Sequence, residues 1–392
     1  MGNIFDKTTW KGLASAVVGW GVLLTASASL QAEQISLVTS HSESRLLMLL
    51  REEASQQQMS LKAIFIDQEQ LKSELFRSRS VDALPDVLIV PPDISKLDTL
   101  HVEPLPADWF SEDLDPSIAQ QVPAVATRLA IPFVVGNHLL QFYNKALVDA
   151  PLEDWNALAT SYAEPIFSWS YNEMYWFAPF VLSHGVKFLH NGETQLDSPA
   201  MAAGLEYYKS LESRGVVNAN CNYTCSLERF ANGDLPYHIN GTWAIDQLKG
   251  YLGDNLGVAL LPSFDGIPMR SFYSAYVVVF PAMERHSPAK RAALKAFAQH
   301  IQSADFQVKL IQQGFQMPVN ALAREQFLSS GDAFNAVFVK QLQRSIIMPD
   351  DPAMVIVWDA MSRGFVRFNG GVLNAPAAAR YMERTFQRFN RH

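Results

Sequence analysis

Two groups of side chains in this sequence have types and spacing suited to chemistry. Residues 155–180 hold nine aromatics, among them Trp155, Trp169, Tyr171, Tyr175 and Trp176, with Glu173 in their midst. Further on, Phe230-Ala-Asn-Gly233 leads through Tyr237-His-Ile239 into Asn240-Gly241-Thr242-Trp243. An aromatic plane stacks on apolar C–H surface and a carboxylate accepts hydrogen bonds from hydroxyls, so the two together suit a ligand that carries both. Covalent chemistry has weaker footing. There is no Gly-x-Ser-x-Gly elbow, no phosphate-cradling glycine loop and no His-Glu-x-x-His zinc pattern, and the nine histidines are scattered. No catalytic residue, metal ligand or cofactor is therefore expected. Asp350-Asp351, flanked by Pro349 and Pro352, read as turn and helix-start residues.

Not every aromatic belongs to a site. Phe167, Phe177 and Phe180 are assigned to packing. Trp358, in Met354-Val-Ile-Val-Trp-Asp-Ala-Met361, fits a helix core as well as a ligand face, and Glu173 fits the start of a surface helix as well as a binding acid. Cys221 and Cys225 are the only cysteines. Their spacing permits a small surface disulfide loop in an oxidising compartment, whereas a redox centre would want two intervening residues and a metal site more ligands. A structural staple near the start of the helix that ends at Gly233 is the expectation.

The elements that must position these residues follow from periodicity. Leu227, Phe230 and Ala231 are spaced for a helix, Gly233 suits the left-handed residue beyond its end, and Tyr237 to Ile239 read as a short strand followed by a turn at Asn240-Gly241. That turn should offer Trp243 and free backbone N–H groups at the carboxyl edge of a sheet, where open α/β sheets bind ligands. Early in the chain Ile35–Val38, Ala63–Ile66 and Asp86–Val90 read as strands, with a helix over Ser44–Gln56, and the alternation is that of βαβ units. Before them, Lys7 and Lys11, the uncharged apolar stretch Gly12–Ser29 and the small residues up to Ala32 form a secretory signal pattern, with cleavage expected after Ala32. Removing Lys7, Lys11 and Asp6 takes the formal charge from −8 to −9. An acidic chain of this length suits two lobes, and a neutral ligand rather than nucleic acid or an anionic membrane surface.

Several segments, in order, resemble the periplasmic maltose- and maltodextrin-binding proteins, extracellular solute-binding proteins of family 1. They are Ile131-Pro132 through Tyr143-Asn144-Lys145, Glu173-Met-Tyr175-Trp176-Phe-Ala-Pro179 and the run from Phe230 to Ile245. Gly257-Val-Ala-Leu-Leu-Pro-Ser-Phe264-Asp-Gly266, Met317-Pro-Val-Asn320 and Ile347-Met-Pro349 followed by Trp358 complete the series. The resemblance spans roughly residues 85–370.

The resemblance implies an α/β, two-lobe periplasmic binding protein fold of type II, with interleaved lobes joined by a multi-segment hinge. Residues 1–32 would be the signal peptide, 33–140 with 275–324 the first lobe, and 141–274 with 325–392 the second. It further implies that the lobes close on a ligand. By position, Trp243, Tyr175 and Trp358 match the family's stacking aromatics, and Glu173 and Asp93 match its sugar-gripping acids. His41 and Ser42 stand at the remaining strand-end turn. The sequence departs from the pattern where Ser and His replace an Asp-Lys pair, where Val90 and Ile94 replace a Trp and an Arg, and where Gly136-Asn137-His138 replaces an acid. Maltose itself is thereby put in doubt. The expected protein is a periplasmic monomer that captures a neutral oligosaccharide and delivers it to the permease subunits of an ABC-type importer in the inner membrane. The alternatives are a sugar-active enzyme on the same scaffold, using Glu173 as acid or base, or a sensor that presents a bound sugar to a receptor.

Overall fold

The computed structural model describes residues 33–390 apart from 41–43, 79, 117, 119–121, 191, 313–316 and 352. The signal segment over 1–32, together with His41 and Ser42, lies outside the described residues. No described helix is long and apolar enough to cross a membrane.

Eleven described strands are built into two sheets: β1 (Gln34–Thr39), β2 (Ser60–Phe65), β3 (Val87–Val90), β4 (Ile131–Gly136), β5 (Leu139–Asn144), β6 (Phe167–Ser168), β7 (Tyr237–Gly241), β8 (Leu256–Ala259), β9 (Phe272–Val279), β10 (Met317–Pro318) and β11 (Ile346–Ile347). The larger sheet has the order β10-β4-β9-β3-β1-β2, with β11 paired to β9; the smaller has the order β6-β7-β5-β8. The chain divides into two compact units. The first comprises residues up to Val134, Ala275–Gln313 and Pro318–Arg324, and the second Val135–Ser274, Gly314–Met317 and Glu325–His392. The chain passes from one to the other inside β4, inside β9 and inside β10.

In the first unit the apolar run Val87-Leu-Ile-Val90 has no polar alternation, as a strand covered on both faces requires, and all four residues are fully buried. Strand β3 lies parallel to β1, Leu37 opposite Val87, and antiparallel to β9, Val90 opposite Val277. Because β1 and β3 are parallel, their carboxyl ends fall at one sheet edge. Pro91-Pro92 stop β3 there and start a 3-10 turn over Pro92–Lys96.

In the second unit, β7 runs antiparallel to β5, with Leu139 opposite Gly241, and parallel to β6. Helix Tyr223–Ala231 leads into β7 through Asn232 and Gly233, whose φ of 81° is the left-handed turn that only glycine takes without strain. Most of the aromatic run 155–180 is core. Trp155, Phe167, Trp169, Tyr171, Phe177 and Phe180 are buried in one cluster, where Trp169 Nε1 donates to Tyr208 Oη at 2.7 Å. Two helix pairs seal it. Met174–Ser183 crosses Pro199–Ser213 at Gly204, and Met354–Asn369 crosses Ala375–Phe389 at Gly364; each glycine lacks room for a methyl group.

Candidate functional site

The strand β7 ends one residue later than the sequence suggested, and this alters its edge. Asn240 and Gly241 belong to the strand, and the backbone turns at the 3-10 segment Thr242–Ala244 before the helix Ile245–Leu252. The expected free N–H groups are used. Gly241 N–H donates to Asn240 Oδ1 at 2.8 Å and Thr242 N–H to His138 O at 3.1 Å, because buried amides in a ladder seek internal acceptors. What the edge leaves to a ligand is side-chain surface.

Trp243 supplies that surface. Its indole folds back over the strand, and a Cβ on Gly241 would lie 1.9 Å from its Cζ3, so the glycine is required by the ring. The Nε1–H donates to Tyr223 Oη at 3.1 Å, and the ring meets Trp176 edge-on at 6.0 Å and 88°. Tyr175 lies 6.1 Å from Trp243 by ring centroids. Its hydroxyl donates inward, to the Asn137 carbonyl and, at 3.2 Å, toward the Phe272 carbonyl, and burial pushes the phenol well above its ordinary titration range. Trp176 Nε1 donates to Ile239 O at 2.9 Å. Every polar edge in this group is therefore turned into the protein, while the rings of Tyr175 and Trp243 remain half-buried. That is a platform for stacking.

Glu173 precedes the helix Met174–Ser183 and is exposed. Its carboxylate does not cap its own helix, and its hydrogen-bond partner among the described residues is Ser170, whose Oγ donates to Oε1 at 2.6 Å. Placed at a helix N-terminus, it is favoured as the anion and keeps acceptor capacity for a ligand. Trp358 is half-buried beside the same group. Its ring packs 5.8 Å from both Phe188 and Phe272, and Phe272 is the residue whose carbonyl accepts from Tyr175.

The first unit holds a different set. Asp93 follows the double proline and pairs with Lys72 Nζ at 2.8 Å. Tyr276, on β9, faces the Ser40 hydroxyl and the Asp93 carboxylate; burial foremost, and the Asp93 charge after it, raise its phenol, with the Ser40 hydrogen bond opposing. Thus the structure brings Trp243, Tyr175, Glu173 and Trp358 together in one unit and seats Asp93 in the other.

Sequence reasoning missed Tyr223, Trp176, Lys72 and Tyr276. Tyr223, between the two cysteines, carried a signal in being the aromatic of Asn-Cys-Asn-Tyr-Thr-Cys. The other three meet their partners only through folding. A serine and a histidine also meet in space, with Ser168 Oγ 2.8 Å from His238 Nδ1. Both are buried, Ser168 Oγ donates to Ser226 O, and burial pulls the His238 imidazole down to about 3, so the pair is a neutral part of the sheet rather than a nucleophile and its base. Cys221 and Cys225 form a disulfide.

Comparison with known proteins agrees with this geometry. The solved maltose/maltodextrin-binding domain of Bdellovibrio bacteriovorus, bound to maltotriose, superposes with a TM-score of 0.73 over 92% of this chain and 100% of that one, at 19% identity. The shared feature is the α/β fold of the two-lobe periplasmic binding proteins, as the sequence led us to expect. The family model of the bacterial extracellular solute-binding proteins matches residues 67–334, more than half of the sequence, and the chain belongs to that family.

Proposed function

We propose that this protein captures a neutral oligosaccharide outside the cytoplasm and delivers it to an ABC-type importer, binding the sugar without altering it. The observation that carries the reading is the Tyr175–Trp243 platform beside Glu173, whose aromatic polar atoms are all satisfied internally. Pyranose rings present apolar C–H faces to such planes, and their hydroxyls need an acceptor such as the Glu173 carboxylate. Maltotriose is the first ligand to try, because the similar solved domain is bound to it. Export through a signal peptide ending near Ala32 is part of the same reading; N-terminal sequencing of the exported protein should begin near Glu33, and recovery of Met1 would refute that part.

Trp243→Ala tests the site. Losing the stacked indole should weaken binding by roughly 1 to 3 kcal/mol, measured by calorimetry across α- and β-linked oligosaccharides. If Trp243 serves packing alone, the ligand-free variant melts at a lower temperature while its affinity holds. A folded variant with unchanged affinity for every bound sugar would remove Trp243 from the site. Recovery of the sugar intact after prolonged incubation separates binding from catalysis.

A further inference from the structure

We propose that the Cys221–Cys225 bridge is a positioning element of the binding platform, acting through Tyr223 on the indole of Trp243. The affinity arm of this inference rests on the sugar-binding reading above; the structural arm does not.

The bridge closes a very small ring, four residues apart in sequence. The unfolded-chain entropy removed by a disulfide grows with the size of the ring it closes, so this one does little for global stability. Its effect is local, and its location decides what that effect is. Tyr223 sits between the two cysteines and is the first residue of the helix Tyr223–Ala231. A first helical residue has no intrahelical acceptor for its own N–H and lies where helices fray. Three ties hold this first turn. Asn222 Oδ1 accepts from Cys225 N–H at 2.9 Å, the bridge joins Cys225 to Cys221, and Cys221 is buried with its N–H bonded to Asn218 O at 3.2 Å. The segment is anchored in turn beside Glu173, where Asn172 Nδ2 donates to Ala219 O at 2.8 Å.

Tyr223 transmits the constraint. Its ring packs against Trp176 at 5.8 Å and its hydroxyl accepts the Trp243 Nε1–H at 3.1 Å. Trp243 is thus located from three directions: Gly241 beneath it, Trp176 at its face, and Tyr223 at its polar edge. Gly241 and Trp176 allow sliding, because apolar contact is not directional. The hydrogen bond to Tyr223 fixes the angle, and only while the first helical turn is held. A ligand that stacks on Trp243 then meets a ring already oriented, with less side-chain freedom to lose on binding.

The test compares three folded proteins: wild type, Tyr223→Phe, and the double variant Cys221→Ser with Cys225→Ser. Nitrogen-15 NMR of the indole N–H groups reads Trp243 directly, its resonance identified by its loss in Trp243→Phe. In both variants the Trp243 indole N–H should shift and exchange with solvent about fivefold faster or more, the value of one hydrogen bond, while the buried Trp155 and Trp169 indoles stay unchanged. Maltotriose affinity should fall several-fold in each variant, and the triple variant should be no weaker than the double, since both changes act through one contact. A bridge that merely staples the surface would lower the melting temperature and leave the Trp243 resonance where it was, which overturns the proposal. Should the double variant fail to fold, reduction of folded wild-type protein with a phosphine reads the same resonance. A wild-type protein that binds no oligosaccharide would sink the sugar reading alone, since the exchange measurement needs no ligand.

Discussion

Tyr175→Phe separates ring from hydroxyl at the centre of the candidate site. The structure sends the hydroxyl away from any ligand, toward the Asn137 and Phe272 carbonyls. Asn137 holds a left-handed backbone, φ 61°, in the turn between β4 and β5, and its side-chain Nδ2 donates to Ser274 Oγ at 3.0 Å. Removing one shared hydroxyl proton therefore deprives a constrained turn and the strand end at Phe272 of a donor. Leaving buried carbonyls unpaired costs about 1 to 3 kcal/mol, which lowers the melting temperature of a domain this size by roughly 2 to 4 °C per kcal/mol. The stacking plane survives. Affinity for a sugar should change by less than about 0.5 kcal/mol, a factor of roughly two. Differential scanning calorimetry gives the first quantity and isothermal titration the second. A tenfold or greater loss of affinity with an unchanged melting temperature would refute the reasoning, since it would mean that the hydroxyl serves the ligand and not the turn.

Other expectations follow from the same coordinates. Glu173→Gln keeps an acceptor for Ser170 Oγ but removes the charge; sugar affinity should fall by about 1 kcal/mol, the difference between a charged and a neutral hydrogen bond, with no change in melting temperature because the group is exposed. Gly364→Ala would place a Cβ 2.3 Å from Met382 Cγ and 3.2 Å from Ala378 O, so thermal unfolding should show a loss of about 1 to 3 kcal/mol from the helix pair it separates. Burial alone would raise the Asp86 carboxyl, but Lys290 and Ser36 outweigh it and hold the group below its ordinary value. A carboxylate with a lowered folded value stabilises fully above about pH 4 and loses that contribution as pH falls through the lowered value. Asp86→Asn should therefore melt below wild type at neutral pH, and the gap should close in acid; a gap independent of pH would contradict the pairing.

How much of this was legible in the sequence depended on whether the cause was local. The helix end at Gly233 and the strand after it were readable because a left-handed residue and a short apolar run are set by their own neighbours. The strand Val87–Val90 was readable for the same reason. The extension of β7 through Gly241 was not, because an Asn-Gly pair that favours turns in isolation is held extended here by cross-strand pairing with Leu139 and Leu140. Tyr276 and Lys72 could not have been named beside Asp93, since one lies on β9 and the other on a helix remote in sequence. Within residues 155–180 the sequence showed an excess of rings but not which of them face inward. That division is made by tertiary packing, which buries Trp155, Trp169 and Tyr171 completely and leaves Tyr175 half-covered.

The same division bears on what kind of recognition the platform supports. With the polar atoms of Tyr175, Trp176 and Trp243 committed to internal partners, the rings are oriented before any ligand arrives. Binding then spends little on ordering side chains, which favours affinity. It also limits selectivity. A stacked ring senses the apolar face of a sugar and is nearly indifferent to the linkage that joins one residue to the next, whereas strong discrimination requires polar groups that are left unpaired by the wrong ligand. Under the proposed function the platform selects the carbohydrate class, and Glu173, with acceptor capacity to spare, is the group in this unit best placed to distinguish one pattern of hydroxyls from another. Glu173→Gln should accordingly narrow the affinity differences among sugars in a panel, while Trp243→Ala should lower all affinities together and preserve their order.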